Sequence, residues 1–431
     1  MERDALAVVP EAAPRAEVTA HDAAPGRSRN TFRALRSVPF RLYFFGQIAS
    51  SSGSFLQQTA VGWVVLQLTG SAASLGLVLA AGGVPSLLLG PLGGSVADRF
   101  DLRRLLIVTQ VLYGVLAGLL WLLAASGHAG VAAIVTITVV TGFVGIVDSP
   151  ARQAFVGSLV EPPDLSSAIS LNGVLMNSAR VVGPAVAGAL IVSVGTTPCF
   201  AVNALSYVAV IVALVAIRPL GAARKRAPGG VRDGLRYAGG REQLWVPLVM
   251  MALVGLLAFN FSVILPVLAD DTFSGSGGTY GLLSTMLSVG SVVGSFAVGF
   301  IPHPRRVYLV AAALAFGACL ALTAASPNVA VACVTLLLTG IAAFSFVTLC
   351  STTLQLHSSP AFRGRVMALW VFVYMGTTPI GSVLTGAVSS AGGPRIALLV
   401  GAASCLLAAG IASRVHTPPH PDETLTDLVS G

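Results

Sequence analysis

Charge is scarce in this sequence, in which only 10% of the 431 residues are charged, and it is concentrated at one place. A stretch between two long apolar runs begins at Gly94 and holds Asp98, Arg99, Asp101, Arg103 and Arg104. A carboxylate followed by arginines can pair across a loop and with the end of a neighbouring helix. Because partly hydrated ion pairs are of modest strength, they can form and break repeatedly. The pattern therefore predicts contacts that can be reversed, although the arginines could also serve only to set membrane topology.

Arg180 is the second residue with unusual chemistry, because it lies eleven residues into an apolar run that begins near Ile169. In a helix this is roughly 16 Å along the axis, close to the middle of a bilayer. A charge there costs at least ~2.5 kcal/mol, so such a residue usually has a function. Arg180 can attract an anionic substrate, hold polar groups around Asn177, or be a structural arginine satisfied by helix carbonyls.

A glycine-proline motif follows Arg180 in the same run, at Gly183, Pro184 and Gly188. Proline removes a backbone hydrogen bond and glycine allows close approach, so the motif predicts a bend or a packing notch. Plain helix packing is the simpler alternative.

The elements that must position these residues are transmembrane helices. Hydrophobic residues make up 55% of the chain and the mean hydropathy is +0.85. Twelve runs of roughly 20 apolar residues can be cut between Leu42 and Ala412, and none alternates as barrel strands would. We therefore predict an all-α membrane protein with twelve transmembrane helices.

The distribution of cations predicts the orientation. With the N-terminus in the cytoplasm, all 25 Lys and Arg residues except Arg180 and Arg395 fall on the cytoplasmic side. This bias places both termini there. It also accounts for the net charge of +8, so no nucleic-acid partner is expected.

An internal repeat divides the chain into two halves of six helices. At an offset of 205 residues, Gly76, Gly83, Gly90 and Gly94 fall on Gly281, Ser288, Ser295 and Gly299. At an offset of 198, the segment 183–189 matches 381–387. We predict a disordered cytoplasmic tail at 1–40, bundles at 41–217 and 244–413, a cytoplasmic linker at 218–243 and a C-terminal tail at 414–431.

The stretch from Gly94 to Arg104 resembles the signature loop of the major facilitator superfamily, in the branch of macrolide, multidrug and enterobactin exporters. The segment from Asp148 to Phe155, with Arg152, and the glycine-proline motif carry the rest of the resemblance. The chain departs from the family at Asp101 and Leu102, where glycine and arginine are usual.

The resemblance implies a major facilitator fold, alternating access and export rather than uptake. It implies that Asp98 braces the interface between the halves, and that Arg99, Arg103 and Arg104 join Asp148 in a network. It also implies a substrate cavity lined by spans 1, 4, 7 and 10. The polar and aromatic candidates there are Gln57, Gln58, Asn177, Phe259, Asn260, Phe344 and Ser345.

Coupling to protons is expected from the resemblance alone. No carboxylate lies deep within a predicted span, so no residue stands out as the proton carrier. The candidates are Asp148, Asp270 and Asp271, with His128 a weaker one. No catalytic constellation, metal spacing, cofactor motif or phosphate loop occurs, so neither an enzyme nor ATP-driven transport within this chain is expected. The five cysteines fall within predicted spans.

We expect a monomeric exporter of small amphipathic molecules in the cytoplasmic membrane of a bacterium. Drug efflux and export of an endogenous secondary metabolite or siderophore are both compatible with the sequence. A non-transporting sensor or lipid-handling membrane protein is a third reading, which the signature loop disfavours.

The signature loop yields a direct test. We predict that Asp98→Asn lowers transport without loss of membrane insertion, because the gate needs the carboxylate and the topology does not. Flux and membrane levels of the variant measure the two effects. Normal flux would reduce the loop to a topology signal.

Overall fold

The computed structural model describes residues 32–97, 99–217, 231–301, 305–359 and 362–414, and these contain helices and no strand. The helices are α1 (Val38–Thr69), α2 (Ala72–Ala97), α3 (Leu102–Ala125), α4 (Val131–Val156), α5 (Leu165–Val194), α6 (Thr197–Ala216), α7 (Val231–Gly239), α8 (Glu242–Leu257), α9 (Phe261–Val267), α10 (Gly277–Val298), α11 (Arg306–Ala324), α12 (Val329–His357), α13 (Arg363–Gly392) and α14 (Pro394–Arg414). A π-helical turn, Leu268–Thr272, follows α9.

Eleven helical segments within the described ranges are long and apolar enough to cross a membrane. One of them, Glu242–Thr272, combines α8, α9 and the π-helical turn, whereas the short α7 is not a span. The helix α1 is the twelfth, so the predicted all-α, twelve-helix fold is confirmed. Short connections reverse the chain between successive spans, as at Gly70, whose φ of 57° closes the turn after α1.

The helix α1 carries several polar side chains, and some of them face neighbouring helices. The Asn203 amide of α6 donates to the Gln57 side chain at 2.7 Å. The hydroxyls of Ser54 and Tyr207 lie 3.0 Å apart. Since α1 packs against both α5 and α6, these groups are satisfied inside the first half instead of in lipid.

The two halves repeat the same packing. In the first half α2 packs on α4, α3 on α6 and α1 on α5; in the second, α10 packs on α12, α11 on α14 and α8 on α13. These are equivalent pairs when span 7, the segment of α8 and α9, is matched to α1. The structure therefore contains the six-helix repeat that the two sequence offsets predict.

The halves meet along two seams, the α2–α13 seam and the α5–α10 seam. A Cβ added to Gly188 would lie 2.9 Å from the Cα of Gly281, and one added to Gly76 would lie 3.2 Å from the Cα of Gly386. The offsets of 205 and 198 residues relate these two glycine pairs to each other. The internal repeat thus produces two equivalent close contacts between the halves.

Both seams lie towards one end of the bundle, which we call the distal face; it is the end at which α1 ends and α2 begins. The other end, where α1 begins and Arg99, Arg103, Arg241 and Arg363 lie, we call the basic face. The backbone N–H of Ala73 donates to the Ser390 hydroxyl at 2.8 Å at the distal end of the α2–α13 seam. Farther along α2, towards the basic face, a Cβ added to Gly90 would meet nothing within 4 Å. Of the stripe members whose surroundings are described, Gly76 and Gly83 therefore contact α13, whereas Gly90 does not.

The predicted disordered tail at 1–40 is wrong for its last residues. A 3₁₀ turn, Arg33–Arg36, precedes α1, and Ala34 and Phe40 are fully buried. Arg33 pairs with Asp164 at 2.9 Å, which fixes this segment against the start of α5. Residues 1–31 lie outside the described ranges.

The predicted linker at 218–243 contains α7, while residues 218–230 lie outside the described ranges. The Tyr237 ring stacks on Phe362, in the connection between α12 and α13, with centroids 4.2 Å apart. The Ser359 backbone N–H donates to the Tyr237 hydroxyl at 3.1 Å. Hydrogen bonding with the side chain and backbone of Ser359 lowers the pKa of Tyr237. The helix α7 is therefore docked on the second half.

Two substitutions in α2 test the seam. A methyl group at Gly76 would overlap the backbone oxygen of Ser382, whereas one at Gly90 would enter open space. We expect Gly76→Ala to lower the free energy of unfolding by about 1–3 kcal/mol through overpacking. Gly90→Ala should be neutral or stabilising by up to about 1 kcal/mol. Thermal or denaturant unfolding in one detergent compares the two, and equal losses would contradict the seam.

Candidate functional site

A cavity of about 250 Å³ lies between the halves and runs from the seams towards the basic face. Its walls come from α1, α5, α9, α10, α12 and α13 and from the break before α9. The lining residues are Phe55, Gln58, Thr59, Arg180, Pro184, Phe259, Phe261, Ser262, Leu265, Tyr280, Ser284, Leu287, Ser288, Ser291, Phe344 and Tyr374. The set combines aromatic rings and hydroxyls with one amide and one cation, and contains no carboxylate.

The aromatic wall depends on a break in the seventh span. The helix α8 ends at Leu257 and α9 begins at Phe261, so residues 258–260 leave the helical path. The Asn260 amide donates to the Leu256 carbonyl at 2.8 Å, and Gly381 of α13 packs directly against this site. Asn260 is thus buried and holds the break, which turns Phe259 into the cavity.

Phe259 is the centre of an aromatic cluster. Its ring contacts those of Phe316, Phe344 and Tyr374, with centroid distances of 5.2, 6.0 and 6.2 Å. These residues lie on three different helices of the second half. An apolar molecule in the cavity would therefore meet a wall that is already packed.

Arg180 faces this wall from α5 in the first half. Its guanidinium carbon lies 4.9 Å from the centroid of the Phe344 ring and 5.6 Å from that of Phe55. Both distances are in the range of cation–π interactions. The contact with Phe344 therefore joins the two halves across the cavity.

The distal end of the cavity is closed by aromatic residues from both halves. Trp63 of α1 and Tyr280 of α10 stack with their centroids 6.4 Å apart, and both are buried. A Cβ added to Gly277 would lie 3.2 Å from the indole nitrogen of Trp63. The two buried rings therefore lie between the cavity and the distal face.

The signature loop caps helices in this conformation. The Asp101 carboxylate accepts from the Arg104 backbone N–H at 2.8 Å, so the unusual Asp101 is the N-cap of α3. Arg103 donates to the carbonyls of Leu214 and Val215 at the end of α6, at 2.7 and 2.5 Å. Arg99 is exposed. Asp98 lies outside the described residues, as do the surroundings of Gly94.

Asp148 is buried in the first half and does not contact Arg103 as the resemblance implied. Its carboxylate accepts from the Thr109 hydroxyl and the Gln110 amide, both at 2.7 Å, and pairs with Arg152 one turn along α4. The expected network of Asp148 with the loop arginines is therefore wrong for this conformation. The physical reason is that the exposed carbonyls at the end of α6 lie within reach of Arg103.

Three of the predicted cavity residues, Gln58, Phe259 and Phe344, line the cavity. Gln57 is bonded to α6, Asn260 holds the helix break, and Ser345 donates to the Gly294 carbonyl at 3.1 Å. Asn177 is half-buried and does not line the described cavity.

Sequence analysis missed the hydroxyl-bearing wall of α10, formed by Ser284, Ser288 and Ser291, and the closing residue Tyr280. The serines recur at spacings of four and three residues, which would have placed them on one helix face. From the sequence only Ser288 was singled out, as a small residue that packs helices together.

Within the motif in α5, Gly183 and Gly188 have different partners. Gly183 packs on α1, where an added Cβ would lie 2.9 Å from the Ser52 carbonyl oxygen, and Gly188 packs on α10 across the seam. Pro184 lines the cavity between them. Asp270 and Asp271 lie in the π-helical turn near the distal face, away from Asp148.

The family described as transmembrane secretion effectors matches residues 29–428 of the chain. The chain belongs to this family of major facilitator transporters. The match includes both halves and every helix described above. The chain is therefore a multi-pass transporter of a bacterial cell membrane with the major facilitator fold.

Characterised relatives are similar along most of their length. The staphyloferrin A transporter of Staphylococcus aureus is 26% identical over 356 residues, covering 80% of this chain and 88% of that protein. The multidrug efflux pump Tap of Mycobacterium tuberculosis is 26% identical over 372 residues, covering 82% and 88%. A bacterial homologue of the human lysosomal transporter Spinster, solved in an inward-facing and unoccupied conformation, has a TM-score of 0.73 at 14% identity and covers 89% of this chain and 99% of that one. This structural likeness concerns the fold.

The buried ion pair of this transporter gives a stability prediction. Asp148→Asn leaves the Arg152 charge without its partner and should cost about 3 kcal/mol, because removing one member of a buried pair is strongly destabilising. Adding Arg152→Gln should recover most of the loss. Thermal unfolding of the purified variants measures both effects. A single variant as stable as the parent, or a double variant less stable than the single one, would contradict the pairing.

Proposed function

We propose that this transporter exports hydrophobic or amphipathic small molecules by alternating access, in exchange for protons. The observation that carries the proposal is the cavity between the halves, which has a preformed aromatic wall and is closed at the distal face by Trp63 and Tyr280. Apolar pockets with a few polar groups are typical of small-molecule sites. The relative named as a multidrug efflux pump supports the same substrate class.

The basic face is proposed to lie in the cytoplasm, with both termini there. Arg99, Arg103, Arg241 and Arg363 lie at this face, as the excess of cations in cytoplasmic loops requires. In this orientation the cavity receives its substrate from the cytoplasm or the inner leaflet. Opening the seams at the distal face would then release it outside. Because the seams and the cavity all lie within one chain, a monomer suffices.

Export of an endogenous metabolite or siderophore is the second candidate. Its support is Arg180, the only charged residue among those that line the cavity, together with the relative named as a staphyloferrin A transporter. A dedicated exporter would leave the accumulation of a drug panel unchanged, whereas a drug exporter would lower it for several members.

Asp148 is the proposed proton carrier. Among the three candidates it alone is buried and paired with an arginine, while Asp270 is half-buried and Asp271 is exposed. Protonation of Asp148 would remove the charge that holds Arg152 and so give α4 two states of different charge. The pair lies beside α1 and α3, whose positions shape the first half.

The substrate class is tested by the accumulation of a panel of amphipathic drugs in cells with and without the protein. We expect lower accumulation with the protein. Phe344→Ala should raise it towards the level of cells without the protein, since that ring is part of the aromatic wall. Ser345→Ala is the matched control, because its hydroxyl is bonded to α10 outside the cavity. Equal effects of the two variants at equal membrane levels would contradict the assigned wall.

Coupling is tested by repeating the assay with a protonophore, which should abolish export. The double variant Asp148→Asn, Arg152→Gln is expected to remain folded and to lose the part of export that the protonophore removes. Export that is indifferent to the protonophore would overturn proton coupling. Protonophore-sensitive export by the double variant would overturn only the role of Asp148.

A further inference from the structure

Arg180 is a cation in a cavity whose other described lining residues are uncharged. A guanidinium in the middle of a membrane is costly unless a partner compensates it. The described structure supplies no carboxylate at this site, so rings are its visible partners. This leaves a positive charge that faces the place where the substrate is proposed to bind.

The packing of α5 on α1 positions Arg180. Gly183 brings the two helices so close that an added Cβ would lie 2.5 Å from the Cβ of Phe55. Arg180 lies about one turn before Gly183 on α5, and Phe55 of α1 is therefore next to it. Phe344 covers the guanidinium from the other half.

The rings leave the hydrogen-bonding edge of the guanidinium unused. Cation–π contacts attract the charge of the group but supply no oxygen or nitrogen acceptor for its N–H donors, which point outwards in its plane. The Nε of Arg180 is shielded from solvent and has no hydrogen-bond partner among the described residues. A buried donor without a partner carries a desolvation penalty, which is removed if the side chain turns this donor towards a ligand that accepts the bond. A carboxylate is the best match, since its two oxygens can accept two parallel N–H bonds.

The other polar groups of the cavity bring no charge that competes with Arg180. The hydroxyls of Ser288 and Ser291 donate to carbonyls within α10, so they can accept from donors elsewhere on the ligand and leave its carboxylate to Arg180. A cationic molecule would therefore meet Arg180 without a compensating anion. The aromatic cluster around Phe259 would hold the apolar part of the ligand.

We propose that Arg180 binds a carboxylate group of the transported molecule, so that the site selects anionic amphiphiles over neutral and cationic ones. This rests on the proposed function, which it deepens by naming the charge of the substrate. Arg180 contributes the charged hydrogen bonds, and Phe55 and Phe344 hold the guanidinium between the two halves.

Binding to the purified full-length protein in neutral phosphatidylcholine nanodiscs tests the proposal without requiring transport. The probes are 1-naphthylacetate, its neutral amide and the cationic 1-naphthylethylamine, which share one ring system. We expect the acid to bind at least about tenfold more tightly than the amide, as for a hydrogen bond to a charged group, and the amine to bind most weakly. Equal affinities, or no binding of the acid, would overturn the proposal.

Variants separate recognition from folding. Arg180→Gln should reduce the affinity for the acid to that for the amide and change the amide by less than about threefold, and Arg180→Lys should keep part of the preference. Gln58→Ala, another residue of the wall, should weaken both probes alike. A parallel loss of both probes in Arg180→Gln would assign Arg180 a structural role. Where that variant does not fold, the preference of the parent protein decides by itself.

Two further experiments test whether a lipid headgroup, instead of the substrate, occupies Arg180, and whether the anion site can exist without the proposed export. Nanodiscs that contain anionic phospholipid should leave the preference for the acid unchanged; its disappearance would mean that a lipid headgroup occupies Arg180 and would overturn the proposal. The cellular drug panel reports on export itself. Absent export with retained preference for the acid would refute the proposed function while leaving the anion site in place.

Discussion

Close contact of glycines between the two halves is the constraint on which the rest of this structure depends. Lipid offers no hydrophobic drive for helices to associate, so close approach of their backbones is a main way in which two helical bundles hold together. Here that approach is made at Gly76 with Gly386 and at Gly188 with Gly281. Because both contacts lie near the distal face, the halves are joined at one end and the cavity is left between them at the other.

Four local features shape the cavity between the halves. The break before α9 turns Phe259 inwards, and the polar α1 is tolerated because α5 and α6 cover it. Gly183 draws α5 onto α1 and places Arg180 beside Phe55. The stack of Trp63 on Tyr280 then seals the distal end with one ring from each half. Separation of the seams would break this stack, so closure of the cavity and contact between the halves are one event.

Much of the fold follows from the sequence because span length, cation bias and the internal repeat are local or periodic signals. The repeat even identified the glycines that meet at the seams, although it could not tell that Gly90 would face open space. The residues of the site were harder to predict from the sequence. Phe259 and Phe344 were predicted to line the cavity, but Gln57 and Ser345 are polar residues that bond to neighbouring helices instead. Arg103 was expected to join Asp148, and it caps α6 because tertiary packing brings those carbonyls near. Which partner a polar group finds depends on helix rotation, and an apolar run does not encode rotation.

The central claim is that the distal seams must open for transport to occur. Cysteines at Ala73 and Ser390, which touch across the α2–α13 seam, test it most directly in a chain whose five native cysteines have been replaced. With the disulfide formed, we predict that transport stops, and that a reducing agent restores it. Transport that continues unchanged in the fully cross-linked protein would contradict the account, because the halves would then carry substrate without separating at this seam.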